Sequence, residues 1–191
     1  MPCSAICACS VSTFPVMKHI YYLSFFLLSV SACDKDKFRP DYSNGMAEAY
    51  RNGQYWIATA SASPYKSGFN MSFQYYNEFG ELRQSQTLYK IPRAIGTYKL
   101  SKTEVRDEDV LIGASFYTLS SDGDVIEDRY LIEVDSFVSN IYIQSIDANS
   151  GWIKGGFNAV FYIDPDRPKF NPANPDTIRF TNGTFSAKLL E

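Results

Sequence analysis

The sequence predicts an all-β protein, a single antiparallel β-sandwich or partly closed barrel of about ten strands. Three observations predict it. Apolar and polar residues alternate with period two through most of the chain beyond residue 45, the pattern of strands with one buried face. Turn signals separate these runs at hairpin spacing. The 191 residues include 14 Tyr and 14 Phe, which suit a pleated, half-buried surface, and helical periodicity is scarcely present.

The first run, Met46 to Arg51, contains a helix-like turn at Met46 to Tyr50, but it leads straight into Asn52-Gly53 and so reads as strand. Asn-Gly is the strongest short hairpin signal, and it joins this run to Tyr55–Ala62. Phe69 to Tyr75 alternates without a fault, and Glu78-Phe79-Gly80 turns into Leu82–Lys90. Ile95 to Leu100 is entered through a glycine. Ile112–Leu119 and Val125–Val134 flank Ser121-Asp122-Gly123-Asp124, a second hairpin. A third joins Ile141–Ile146 to Trp152–Ile163 through Asn149-Ser150-Gly151, and Thr177–Leu190 closes the series. No second shift to linker-like composition appears, so residues 46–191 are expected to form one domain.

The chain before that domain has a different character. Lys18 is the only charged residue among the first 32, and Ile20 to Val30 is apolar or weakly polar. A basic residue, a short apolar core and small residues are the parts of a secretory signal, and the run is too short for a span of about 20 residues. Val30-Ser31-Ala32-Cys33 resembles a bacterial lipobox, which implies cleavage between Ala32 and Cys33 and acylation of Cys33. Residues 1–32 are then the signal, with Met17 a fitting true start, and 33–45 a polar tether carrying Asp34-Lys35-Asp36-Lys37. Lys35-Asp36 resembles the surface-export signal of Bacteroidota lipoproteins, although Lys37 interrupts its acidic run. The expectation is an outer-membrane lipoprotein, on the cell surface rather than the periplasmic face.

Cleavage removes much chemistry. Cys3, Cys7, Cys9 and the only histidine, His19, all lie upstream of Cys33. The mature chain therefore lacks the residues for a Ser-His-Asp or Cys-His nucleophile, a His-ligated metal or a structural zinc. Without a second cysteine no internal disulfide can form, so stability rests on an apolar core. The 18 Lys and Arg include Lys18, which leaves 17 against 21 acids, a net of −4. There is no basic block, so no nucleic-acid partner is expected, and the membrane is reached through the lipid alone. No cofactor is called for.

Several residue groups invite a functional reading. Asp122, Asp124, Glu127 and Asp128 surround a glycine and offer oxygen ligands for calcium, but they lack the spacing of an EF-hand loop and fit a solvated hairpin tip better. Glu104, Asp107, Glu108 and Asp109 form a second acidic loop that reads as solvating. Trp56 and Trp152 are candidate ligand contacts, able to stack on a sugar with Tyr55, Tyr65, Tyr75 and Tyr76, but their period-two apolar neighbours favour the core. The loop Asp164 to Asp176 carries four prolines in thirteen residues, and long irregular loops are usually functional or disordered. Phe170 at its centre is a third candidate contact, anchored to its own domain or to a partner. Asp135-Ser136-Phe137 and Asp176-Thr177-Ile178 resemble sites of Bacteroidota protein O-glycosylation.

In order, Asn52-Gly53-Gln54-Tyr55-Trp56-Ile57-Ala58, Ile95-Gly96-Thr97-Tyr98, Gly156-Phe157 and Thr181-Asn182-Gly183-Thr184-Phe185 resemble a family of uncharacterised Bacteroidota lipoproteins, a domain of unknown function. The resemblance spans residues 46–189. It implies a β-rich fold, lipocalin-like in some relatives, and supplies no activity or site residue. The expected function is a non-enzymatic envelope lipoprotein that binds a glycan, a small apolar ligand or another envelope protein. The alternative is a histidine-free, carboxylate-dependent hydrolase acting on glycans, for which no acidic pair is marked.

Overall fold

The computed structural model describes residues 38–101, 111–133 and 138–190. Ala32 and Cys33, the rest of residues 1–37, the acidic loop at Glu104 to Asp109 and the Asp135-Ser136-Phe137 motif lie outside the described residues.

Among the described residues ten strands follow the expected order. They are β1 (Gly45–Arg51), β2 (Gln54–Tyr65), β3 (Gly68–Tyr76), β4 (Leu82–Pro92), β5 (Gly96–Lys99), β6 (Gly113–Leu119), β7 (Ile126–Ile132), β8 (Asn140–Ile146), β9 (Trp152–Ile163) and β10 (Thr177–Lys188). All strand pairs are antiparallel, in the order β10-β1-β2-β3-β4-β6-β7-β9, and a pairing of β9 with β10 closes the ring. The alternative of two separate sheets is thereby resolved: the architecture is a barrel. β8 and β5 extend from it, because one edge of β9 is divided, with Ile153 to Asn158 paired to β8 and Phe161 to Ile163 paired to β7.

Local chemistry explains how the ring closes. Asn52 and Gly53 both take positive φ, 48° and 82°, the two-residue turn that matches strand twist, with Arg51 opposite Gln54. Asn52 also ties the turn to the last strand: its backbone N–H donates to the Arg179 carbonyl at 2.8 Å, and its Oδ1 accepts from the Arg179 N–H at 2.8 Å. At Gly155 a Cβ would lie 1.9 Å from the Tyr142 carbonyl oxygen, so only glycine lets β8 come this close to β9. Register shifts in β1, β3, β4, β8 and β10 add the bends that a closed sheet needs.

The inward positions divide by size. Ala47 and Ala49 of β1 and Ala58, Ala60 and Ala62 of β2 form a wall of small residues, whereas β3, β6, β9 and β10 send in Phe69, Phe73, Phe116, Phe157, Phe161, Phe180 and Phe185. Rings from strands that are not neighbours meet across the axis. Phe73 stacks on Phe157 at 4.9 Å, and Phe116 lies 5.5 Å from Phe180. The middle of the barrel is thus packed with side chains, as in small closed barrels.

The two ends differ. The β1–β2 hairpin, the β3–β4 turn, the β6–β7 hairpin and the long β9–β10 loop all lie at one end, by the register of the ladders. Residues 38–44, expected as part of a polar tether, lie along the outside of the barrel. The Phe38 N–H donates to the Glu78 carbonyl at 3.2 Å and its ring lies 5.8 Å from Tyr76. The segment enters β1 at the opposite end, where the Asn44 carbonyl accepts from the Lys188 N–H at 2.8 Å.

Candidate functional site

Period-two alternation assigns the inward face of each strand, and toward the loop-rich end that face turns polar. On β1 the inward series Ala47, Ala49 ends in Arg51; on β4 it runs Gln84, Gln86, Leu88; on β6 it ends in Thr118; on β7 it begins at Asp128 and continues with Tyr130. Trp56 starts the inward series of β2 and is only 4% exposed. Its indole N–H donates to Gln84 Oε1 at 3.0 Å and its ring meets Phe180 edge-on at 5.0 Å.

The proline-rich loop closes this end. The Phe170 N–H donates to Asp128 Oδ1 at 2.8 Å, and Asn174 Nδ2 donates to Asp128 Oδ2 at 2.7 Å and to Thr118 Oγ1 at 3.2 Å. Asn171 Nδ2 reaches Glu127 Oε2 at 3.1 Å, and the Tyr130 hydroxyl donates to the Pro175 carbonyl at 2.9 Å. Lys169 pairs with Asp176 at 2.7 Å across the base of the loop, while Asp164 stands 3.6 Å from Arg129 and 3.8 Å from Arg167. The excursion is therefore a folded cap. Its prolines restrict the chain, and the carboxylates of Glu127 and Asp128 accept its N–H groups.

Beneath the cap lie polar atoms without partners. Gln86 is 0% exposed, and neither its Oε1 nor its Nε2 has a hydrogen-bond partner among the described residues. Gln86 sits opposite Phe73 on one side and Phe116 on the other, and Phe116 in turn sits opposite Tyr130. Arg51 Nε is likewise buried and unpartnered. Burial lowers the pKa of the Arg51 guanidinium, and the nearby Tyr130 and Tyr75 phenols push it back up. Burial pushes the Tyr130 phenol up to about 12; Asp128 adds to the shift and Arg51 opposes it. A half-buried guanidinium with a buried Nε near two phenols, at the end of the barrel that also holds the Gln86 amide, offers donors to a small anionic or strongly polar group.

The residues expected to contact ligand are not brought together. Trp56 is inside the barrel at the capped end. Trp152 begins β9 at the opposite end, in a groove of about 360 Å³ with Ser145, Asp147, Ser150, Lys154 and Ser186. Phe170 is 68% exposed on the cap, so its backbone is the anchor to its own domain and its ring is not. Tyr75 points inward, Tyr76 and Tyr55 outward, and Tyr65 lies at the far end, so no single tyrosine platform exists. The calcium cluster also separates. Asp122 accepts the Ser120 hydroxyl and the Asp124 N–H at an exposed tip, which holds its pKa below the usual carboxylate value, while Glu127 and Asp128 bind the cap. Among the described residues no three Asp, Glu, His or Cys side chains are grouped to hold a metal ion.

Sequence reasoning missed Arg51, Gln84, Gln86, Tyr130 and Asn174. The first three carried a readable signal, since arginine and glutamine occupy positions that the alternation assigns to the buried face.

Fold and site together define a closed antiparallel β-barrel with a capped, polar end. In comparisons, the chain matches no protein-family model, no curated protein and no solved structure.

Proposed function

We propose that this chain is a lipid-anchored, extracytoplasmic binding protein whose capped barrel end holds a small anionic ligand. One observation carries the binding role: a fully buried glutamine whose amide oxygen and nitrogen both lack partners. A buried polar group without a partner costs about 1–3 kcal/mol, and folds keep such groups where something else satisfies them. Arg51 supplies the charge preference, and the packed aromatic middle of the barrel argues against a long apolar ligand. The lipid anchor rests on the lipobox resemblance at Cys33.

Thermal unfolding of the mature protein with inorganic phosphate and with acetate tests the binding role, beside native mass spectrometry of protein taken from its own envelope. Wild type is expected to gain stability with at least one anion, or to retain an added mass, and Arg51→Met to lose both responses. Identical behaviour of wild type and Arg51→Met would sink this assignment. Fatty-acid labelling of wild type against Cys33→Ala tests the anchor separately.

A further inference from the structure

The exposed apolar side chains of the capped end form a rim. Phe79 at the β3–β4 turn is 74% exposed, Phe170 on the cap 68%, Val125 60% and Ile126 48%. These loops adjoin one another. A Cβ on Gly123 would lie 3.2 Å from the Leu82 backbone, Arg83 Nη1 donates to the Ser120 carbonyl at 2.9 Å, and Asn171 on the cap reaches Glu127 beside Ile126. Phe38 is fixed at the same end, against Tyr76 and Gly80.

The chain's own connectivity says what covers this rim. Cys33 stands five residues before Phe38. Five residues extend to roughly 18 Å at most, whereas the twelve-residue strands of the barrel, tilted as barrel strands are, separate its ends by about 30 Å. An acyl chain on Cys33 therefore holds the capped end near the bilayer. We propose that this end, with Phe79, Val125, Ile126 and Phe170 at its rim, rests on the lipid surface into which the Cys33 acyl chains insert. The proposal rests on the lipid-anchor assignment above and adds an orientation to it.

Charge sets the kind of surface. Glu78, Glu81, Asp122, Asp124 and Asp166 lie among the apolar tips and outnumber the exposed Arg39 and Arg167, of which Arg167 faces Asp164 at 3.8 Å; Arg83 is engaged with the Ser120 carbonyl, and Lys169 is paired with Asp176. The contact is thus apolar, and anionic headgroups weaken it. Partly inserted aromatic rings at an interface suit such a contact, and Tyr55, 61% exposed on the adjoining hairpin, adds another. The cap, and with it access to Arg51 and Gln86, then faces the headgroup layer.

The test uses the full chain, processed in its host and reconstituted in vesicles. With Cys33 acylated at its sulfur, a Phe79→Cys variant carries one free thiol for an environment-sensitive fluorophore, and Ile95→Cys, 67% exposed at the other end, is the control. On zwitterionic vesicles the probe at 79 is expected to shift to the blue and lose most of its emission to brominated lipid, while the probe at 95 does neither. Adding anionic lipid reduces both effects. Hydrogen exchange of the turn 77–81 in unlabelled protein, slowed by vesicles, gives the same answer without a substitution. An aqueous probe at 79 on protein whose mass shows the acyl chains overturns the orientation and leaves the anchor standing. A mass without acyl chains removes the anchor and the orientation together. Shielding that grows with protein density in the vesicle assigns the rim to a second copy of the chain and also overturns the proposal.

Discussion

Replacing Gln86 with methionine isolates the cost that the site imposes on the fold. Gln86 faces inward between Phe73 and Phe116, fully buried, with both ends of its amide unpartnered. Leaving such groups unsatisfied costs about 1–3 kcal/mol, and an apolar replacement of the same shape escapes that cost. Methionine has similar length and flexibility, so repacking costs less than about 1.5 kcal/mol. The Gln86→Met protein without ligand is therefore expected to be more stable than wild type by on the order of 1 kcal/mol. In a domain of this size that raises Tm by roughly 2–4 °C. Urea unfolding followed by the fluorescence of Trp56 and Trp152 measures the change, with an unaltered slope confirming that only stability has moved. The same variant is expected to lose the response to anions. A loss of stability of about 1 kcal/mol or more would refute the reasoning, because it would mean that the amide is already satisfied within the fold.

Three further outcomes follow from named contacts. Asn174→Ala removes the donor that holds Asp128 at 2.7 Å, so it is expected to lower stability by about 1.5–3 kcal/mol and to make the loop 164–176 more sensitive to protease; unchanged cleavage would deny that Asn174 holds the cap. Tyr130 titrates near 12 in the fold against 10.0 for the ordinary phenol, so the native state retains a proton that the unfolded chain has lost. Its contribution is complete below pH 10 and is lost as pH rises toward 12. Alkaline unfolding of wild type is expected to show this slope and that of Tyr130→Phe a shallower one, since Tyr42 and Tyr55 are also raised. Gly155→Ala places a methyl 1.9 Å from the Tyr142 carbonyl, so β8 must move; amide exchange in β8 and β5 is expected to accelerate more than that in β1 to β3.

Much of the strand order was legible because each strand carries its own evidence. Asn52-Gly53 fixes a hairpin by local conformational preference alone, and the alternation from Phe69 to Tyr75 assigns a buried face without reference to any partner. Closure is a different kind of fact. Nothing local distinguishes a β10 that ends at a sheet edge from one that pairs with both β1 and β9, since Phe180 and Phe185 would be buried in either case. The docking of residues 38–44 was hidden for a related reason. Pro40, Arg39 and Asp41 give the segment the composition of a linker, whereas one ring, Phe38 against Tyr76, and a few backbone hydrogen bonds hold it.

Residue type alone does not locate the polar end of the barrel; register does. Trp56 and Trp152 drew attention as large aromatic surfaces, yet the ladders put them at opposite ends of the barrel. Arg51 and Gln86 are ordinary residues made unusual by position. In a strand with one wet face, an arginine or glutamine on the dry face conflicts with the pattern around it, and such conflicts concentrate where function opposes stability. Here two of them occur at the same end of one barrel, and the longest loop of the described chain is folded over that end by Asn171, Asn174 and the Phe170 N–H. A polar cluster that served only to be solvated would stand open to water. Here thirteen residues fold over the end, the cap engages Asp128 and Thr118, and Arg51 Nε and the Gln86 amide stay unpartnered, which is the combination on which the proposed binding role rests.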